Sequence, residues 1–282
     1  MTSGIIFDIE EFAIHDGPGI RKTVFFKGCP LSCAWCHNPE GMSFQPQLMV
    51  SQNGCISCGA CRKVCSHPQN CEVCGSCIPV CPLGLRKICG RAITSDRLAK
   101  MLLKDQDFFA KTGGGVTLSG GEPLAQSGFL MELIPKLKPL HVAIETSGYA
   151  PVENFRQIVP MAGLVLMDIK HTKPDIHKKY TGVDNRLILE NLKFLCHCGQ
   201  KFIIRIPVIP GVNDTRENFE NTAKLIQKAK GLERVELLPY HKTAGAKYPM
   251  VGKDYQPPFN PDQVPYLGTE VFQQYGIRSV VL

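Results

Sequence analysis

Three thiols stand close together in the segment Gly28-Cys29-Pro30-Leu31-Ser32-Cys33-Ala34-Trp35-Cys36-His37-Asn38-Pro39, at spacings of four and three residues. Thiolates are ligands for zinc and for iron–sulfur clusters. Three of them on one short loop can wrap a corner of a cubane cluster and leave one iron without a protein ligand. Such an iron is an open Lewis-acid position for a chelating molecule. A structural zinc ion would need a fourth ligand. His37 is at hand, but as the direct neighbour of Cys36 it cannot easily meet the same tetrahedral ion, so the spacing favours iron–sulfur chemistry.

The chain has fourteen cysteines, twelve of them from Cys29 to Cys89 and two more at Cys196 and Cys198. A disulfide framework needs an oxidising compartment. The start MTSGIIFDIEEF lacks the basic and then apolar layout of a signal peptide, and no apolar run approaches membrane-spanning length. The expectation is therefore a cytoplasmic protein, with no membrane partner, whose cysteines bind metal. Two repeats carry most of them: Cys55-x2-Cys58-x2-Cys61-x3-Cys65 and Cys71-x2-Cys74-x2-Cys77-x3-Cys81-Pro82. This is the two-cluster ferredoxin spacing, in which each fourth cysteine serves the other cluster. It predicts Cys55, Cys58, Cys61 and Cys81 around one cluster and Cys71, Cys74, Cys77 and Cys65 around a second, with zinc as the alternative. Cys65 departs from the pattern, being followed by Ser66 and separated from Cys71 by only five residues. Cys89 reads as a small buried residue, and Cys196 and Cys198 as structural.

Other chemistry-bearing groups fall where strands should end. Gly113-Gly114-Gly115-Val116-Thr117-Leu118-Ser119-Gly120-Gly121-Glu122-Pro123 offers exposed backbone beside a ligand, or simply a tight turn. Glu145-Thr146-Ser147 and Asp168-Ile169-Lys170 are polar strand ends; Arg205 interrupts an apolar strand and needs a carboxylate partner. His241 follows another strand.

The elements that position these groups divide into three zones. Residues 1–50 hold a strand at Thr23–Phe26 and the first cysteine loop. Residues 51–92 are rich in Cys and Gly and cannot bury a core, so metal must organise them. Residues 93–282 alternate strands at Val116–Leu118, Val142–Glu145, Leu164–Met167, Phe202–Ile206 and Val235–Leu238 with helical patterns at Arg97–Lys104, residues 124–137, Leu187–Phe194 and Glu217–Ala229. Thr94 and Ser95 are candidate caps. About six strand–helix units result, fewer than the eight of a full barrel. Spacing alone leaves a partial barrel and an open doubly wound sheet both standing; either puts functional loops at the carboxyl ends of the strands.

The Cys-x3-Cys-x-aromatic-Cys loop after a strand resembles the signature of the radical S-adenosylmethionine superfamily. Its flanks are His15-Asp16-Gly17-Pro18-Gly19-Ile20-Arg21, then Phe25, Lys27-Gly28-Cys29-Pro30-Leu31 and Asn38-Pro39-Glu40. They resemble the opening of the glycyl radical enzyme activating enzymes, of the pyruvate formate-lyase activating enzyme type. The resemblance implies an α/β fold, a partial (β/α)6 TIM-like barrel over 1–50 and 93–282 with a small ferredoxin-like insert over 51–92. It implies S-adenosylmethionine and three [4Fe-4S] clusters, one on Cys29, Cys33 and Cys36 and two auxiliary. By the same resemblance Asp16 and Lys170 join the catalytic set, and Trp35, Gly120, Gly121, Glu122, Glu145, Thr146, Ser147, Asp168, Arg205 and His241 surround the cofactor, in some members with a monovalent cation. The implied partners are a glycyl radical enzyme, through its glycine loop, and a flavodoxin or ferredoxin as electron donor, with the chain itself a monomer. Two other functions fit the cysteines: radical chemistry on a small molecule, and electron relay alone. A net charge of +7 is dispersed along the chain, the pattern of a solvated surface and not of a nucleic-acid binder.

Overall fold

The computed structural model describes residues 2–282. The chain opens with β1 (Ser3–Ala13), which turns back into β2 (Arg21–Phe26) as an antiparallel pair. A separate two-stranded antiparallel ribbon follows, β3 (Gln47–Val50) with β4 (Arg86–Cys89), and it encloses residues 51–85. The chain then returns as β5 (Arg91–Thr94), which pairs with β1, so the last residues of the expected 51–92 insert already belong to the main sheet. Six more strands complete that sheet: β6 (Gly115–Gly120), β7 (Val142–Thr146), β8 (Leu164–Asp168), β9 (Phe202–Val208), β10 (Leu232–Pro239) and β11 (Ser279–Val281).

The strand order is β11-β10-β9-β8-β7-β6-β2-β1-β5, and every pair from β2 to β11 is parallel. This order decides between the two folds the sequence left open. A doubly wound sheet reverses its strand order at a switch point and carries helices on both faces. Here the order runs one way from β2 to β11, so right-handed crossovers carry the helices to a single face. The sheet curls without closing, since β5 and β11 are both free edges. It is a partial barrel.

The helices are α1 (Ala60–Lys63) in the insert, then α2 (Ser95–Leu103), α3 (Gln106–Thr112), α4 (Ser127–Lys136), α5 (Val152–Ile158), α6 (Pro174–Thr181), α7 (Arg186–His197), α8 (Arg216–Ile226) and α9 (Thr269–Gln274). Thr94 caps α2 by accepting from the Arg97 amide at 3.3 Å, and Thr215 caps α8 through Asn218 at 3.2 Å. The main core lies between sheet and helices. Leu98 and Leu102 of α2, Leu130 and Leu133 of α4, Phe155 of α5 and Phe219 of α8 are buried there against Val116, Ile144, Val165 and Ile204. Each such side chain stabilises the fold by about 1.5–3 kcal/mol on burial. The inner face holds a smaller apolar cluster, Ala143, Leu164, Leu166 and Ile203, and buries the charged groups Arg205 and Glu236. The chemistry-bearing side chains gather on this inner side.

Candidate active site

At the carboxyl ends of the parallel strands a cavity of about 500 Å³ opens into the barrel. The three thiols Cys29, Cys33 and Cys36 line one side of it. Their loop leaves β2 at Lys27 and is tied down by backbone bonds: Gly28 N–H to the Gly41 carbonyl (2.8 Å), Ser32 N–H to Thr181 (2.8 Å) and Ala34 N–H to Tyr180 (2.9 Å). Trp35 is buried against Ile209 and Val212 and packs on Tyr180. It therefore anchors the loop while its edge reaches the cavity. Burial pushes all three thiols up, Cys33 to about 12, so the cluster-free loop is protonated and metal loading must release protons. Among the described residues no three Cys, His, Asp or Glu side chains converge as tightly as a single ion requires.

The glycine segment closes against this loop. Gly120 has φ +117°, and a Cβ there would lie 2.2 Å from the Phe26 amide nitrogen. A Cβ on Gly121 would lie 2.4 Å from the Gly28 carbonyl oxygen. Gly121 N–H and Glu122 N–H donate to the carbonyls of Phe26 and Gly28, both at 2.8 Å. Only glycine allows backbone to meet backbone here, and both glycines line the cavity.

Thr146, Ser147, Glu145, Asp168, Lys170, Asp16 and His241 also line the cavity. Lys170 Nζ donates to Asp168 Oδ2 at 2.6 Å, and this carboxylate holds its ammonium charged despite burial. Asp16 accepts from Thr23 Oγ1 at 2.6 Å; its carboxyl is raised by burial and by Glu145. His241 heads a short 3-10 turn, Lys242–Lys247, and its Nδ1 faces Thr243 Oγ1 at 2.8 Å.

Two expected cofactor residues stand behind the cavity wall. Arg205 donates from Nη1 to Glu145 (2.6 Å) and from Nε to Glu236 (2.8 Å), and also reaches the His15 carbonyl. Its carboxylate partners are thus protein groups, and it fixes Glu145, whose carboxyl Arg205 and Ser119 hold low against the effect of burial. Glu122 is fully buried. Its Oε1 accepts from Thr146 Oγ1 (2.6 Å) and Leu124 N–H (3.1 Å), and its Oε2 from Ser147 N–H (2.8 Å) and Ser147 Oγ (2.5 Å). It pins the end of β7 to the glycine turn. Sequence reasoning misses Glu236, whose signal is the β9–β10 register that sets it opposite Arg205. It also leaves Arg21 without a role of its own. Arg21 is fully buried and bonds Thr117, the Val116 carbonyl and the Pro18 carbonyl, clamping the loop that carries Asp16.

In the insert, two further cavities open between the cysteine repeats. One, of about 260 Å³, is lined by Cys55, Cys58, Cys61 and Cys81; the other, of about 320 Å³, by Cys65, Cys71, Cys74 and Cys77, with Cys61 at its edge. The repeats share a backbone shape. Ser57 and Val73, each just before the second cysteine of its repeat, have φ of +54° and +56°. Positive φ costs a β-branched residue dearly, and it recurs where consecutive amides turn toward a bound group. Cys89 faces elsewhere, buried beneath the first loop with its thiol toward the Glu40 carbonyl at 4.0 Å.

Residues 23–226 match the model of the Radical SAM superfamily. The chain is 42% identical over 270 residues to the trans-4-hydroxy-L-proline dehydratase activating enzyme of Clostridioides difficile, covering 89% of each chain. It is 38% identical to the (2S)-3-sulfopropanediol dehydratase activating enzyme of Klebsiella oxytoca, covering 90% of this chain and 87% of that one. The chain belongs to the glycyl radical enzyme activating enzymes of the radical SAM superfamily. The fold agrees with QueE from Escherichia coli at a TM-score of 0.52 and 17% identity, over 99% of this chain and 94% of that one. As a radical SAM activating enzyme it is an oxidoreductase with a [4Fe-4S] cluster and S-adenosylmethionine, and it abstracts a hydrogen atom from a glycine of a partner enzyme. No helix among the described residues is long and apolar enough to cross a membrane.

Proposed function

We propose that the barrel cavity is the site of this activation, with Cys29, Cys33 and Cys36 holding the cluster and the opposite wall holding S-adenosylmethionine. The observation that carries the assignment is that these thiols share one cavity with Gly120, Gly121, Thr146, Ser147, Asp168, Lys170 and His241. When bound, the cluster and S-adenosylmethionine supply methionine and a 5′-deoxyadenosyl radical, which takes hydrogen from the glycine Cα. The chain's own residues do the positioning. Glycine backbone at 120 and 121 lets the ligand lie against β6, and Lys170 offers a charged donor to a carboxylate. Arg205 and Glu122 act at one remove, fixing Glu145 and the Thr146–Ser147 corner. Asp16, on a loop clamped by Arg21, faces the cavity from the β1–β2 side, where the partner's glycine segment enters. A monovalent cation has Asp168 Oδ1 available, since Glu145 has both oxygens engaged by Arg205 and Ser119.

The two insert cavities support two auxiliary [4Fe-4S] clusters with each fourth cysteine exchanged between repeats, serving as an electron relay from a flavodoxin or ferredoxin. A monomeric, cytoplasmic enzyme completes the reading. The partner is a glycyl radical dehydratase or decarboxylase, the classes named for the relatives. Iron analysis and two variants test the cluster assignments. The reconstituted chain should hold about twelve irons. Cys33→Ala should abolish 5′-deoxyadenosine formation, whereas Cys58→Ala should lose auxiliary iron and keep the cluster of the first loop. A stable content near four irons would remove the auxiliary clusters from the account.

A further inference from the structure

The insert holds a cation that none of the assignments above uses. Arg86 is the first residue of β4, paired across the ribbon with Val50, so its backbone is fixed where the insert joins the barrel. Its side chain lines both insert cavities. It lines one of them together with Cys61 and Cys77, one expected ligand from each four-cysteine set, so its guanidinium stands beside both thiols. No acidic group nearby neutralises it: the insert's single carboxylate, Glu72, is paired with His67 at 3.2 Å.

We propose that Arg86 is the electrostatic bridge of the two auxiliary clusters, donating to one ligating sulfur of each and raising both reduction potentials together. This rests on the two-cluster reading of the insert. The physical reason is the sign of the charge change. A cluster becomes more negative on reduction, so a fixed cation and N–H···S bonds at its sulfurs favour the reduced form. A planar guanidinium with several donors can serve two sulfurs at once, which an ammonium cannot do in the same geometry. Two clusters levelled by one shared cation pass an electron between them with little driving force lost. Arg86 is here a positioning and tuning residue, since it touches ligands and not substrate.

The test uses the full chain, reconstituted anaerobically with Cys29, Cys33 and Cys36 replaced by alanine, so that only auxiliary clusters give a signal. Iron content comes first. If this parent protein holds no auxiliary iron, the two-cluster reading fails and takes the role of Arg86 with it. With iron in place, Arg86→Gln and Arg86→Lys are titrated by potentiometry with electron paramagnetic resonance detection. Arg86→Gln should weaken reduction of both clusters about tenfold, or about 59 mV for a one-electron couple. Arg86→Lys keeps the charge and should shift them by less than half as much. A glutamine variant that shifts neither cluster or only one, or a lysine variant that shifts as far as glutamine, overturns the proposal. If Arg86→Gln instead sheds iron, loss from both clusters together with retention in Arg86→Lys supports the bridge. Loss from one cluster alone, or from both variants alike, overturns it.

Discussion

Glu122 gives the sharpest quantitative test of how the cavity is built. Two backbone N–H groups and two hydroxyls donate to its carboxylate: Leu124 N–H, Ser147 N–H, Thr146 Oγ1 and Ser147 Oγ. Burial pushes the carboxyl up, while the four hydrogen bonds it accepts favour its ionised form. In Glu122→Gln one oxygen becomes an NH2. In either amide orientation that NH2 faces one hydroxyl, which can rotate to accept, and one backbone N–H, which cannot. One buried donor is left unpaired, at a cost of about 1–3 kcal/mol. Glu122→Ala strands both backbone N–H groups and should cost roughly 2–6 kcal/mol. That is a large share of a typical domain's stability of about 5–15 kcal/mol. Both variants should also release the Thr146–Ser147 corner and weaken S-adenosylmethionine binding, alanine more than glutamine. The assay is urea unfolding of the reconstituted protein, comparing midpoints, with S-adenosylmethionine affinity measured alongside. A glutamine variant that unfolds at the wild-type midpoint and binds the cofactor as tightly would refute the idea that Glu122 organises this wall.

Other consequences follow from single contacts. Gly121→Ala places a Cβ 2.4 Å from the Gly28 carbonyl, backbone against backbone, so it should push the cysteine loop outward. The expected result is about 1–3 kcal/mol of lost stability and slower reconstitution of the first cluster, read by thermal melting and by absorbance during iron loading. His171 is buried and its ring is pulled down from 6.5 to about 4, chiefly by burial with His177 and Lys173 adding. Between those values the unfolded chain carries the proton and the folded chain does not, so stability falls as pH drops from about 6.5 toward 4. The loss amounts to about 3 kcal/mol at most. Melting at pH 7 and pH 5 should show this drop in the wild type and a flatter profile in His171→Asn; equal slopes would remove His171 as the cause.

Much of the barrel could be read from local patterns. β2 and β6 to β10 are short apolar runs with polar ends, and the structure places all six within a few residues of their expected bounds. β1 escaped because Asp8, Glu10 and Glu11 give it an exposed, charged face, although Ile6 is fully buried. β5 and β11 are edge strands of four and three residues, too short to show a period. The choice between partial barrel and doubly wound sheet needed strand order, which no local signal carries. The cavity residues stood at strand ends in the sequence, but which of them face the lumen did not. Arg205 advertised a need for a carboxylate by interrupting an apolar strand; that Glu236 supplies one depends on the β9–β10 register. Glu122 sat in a glycine turn that pointed to a ligand, whereas its four donors come from a turn it begins and a strand end more than twenty residues away. The cysteine repeats follow a local spacing, and the two insert cavities are lined by its two expected ligand sets, with Cys61 lining both.

The central claim, a radical enzyme acting on a glycine of another protein, is tested most directly by its product. The reconstituted chain is reduced anaerobically with S-adenosylmethionine and mixed with a candidate glycyl radical enzyme, beginning with a trans-4-hydroxy-L-proline dehydratase. The account predicts 5′-deoxyadenosine in step with a glycyl doublet in electron paramagnetic resonance, both lost in Cys33→Ala. A fully iron-loaded, reduced protein that forms no 5′-deoxyadenosine would contradict it.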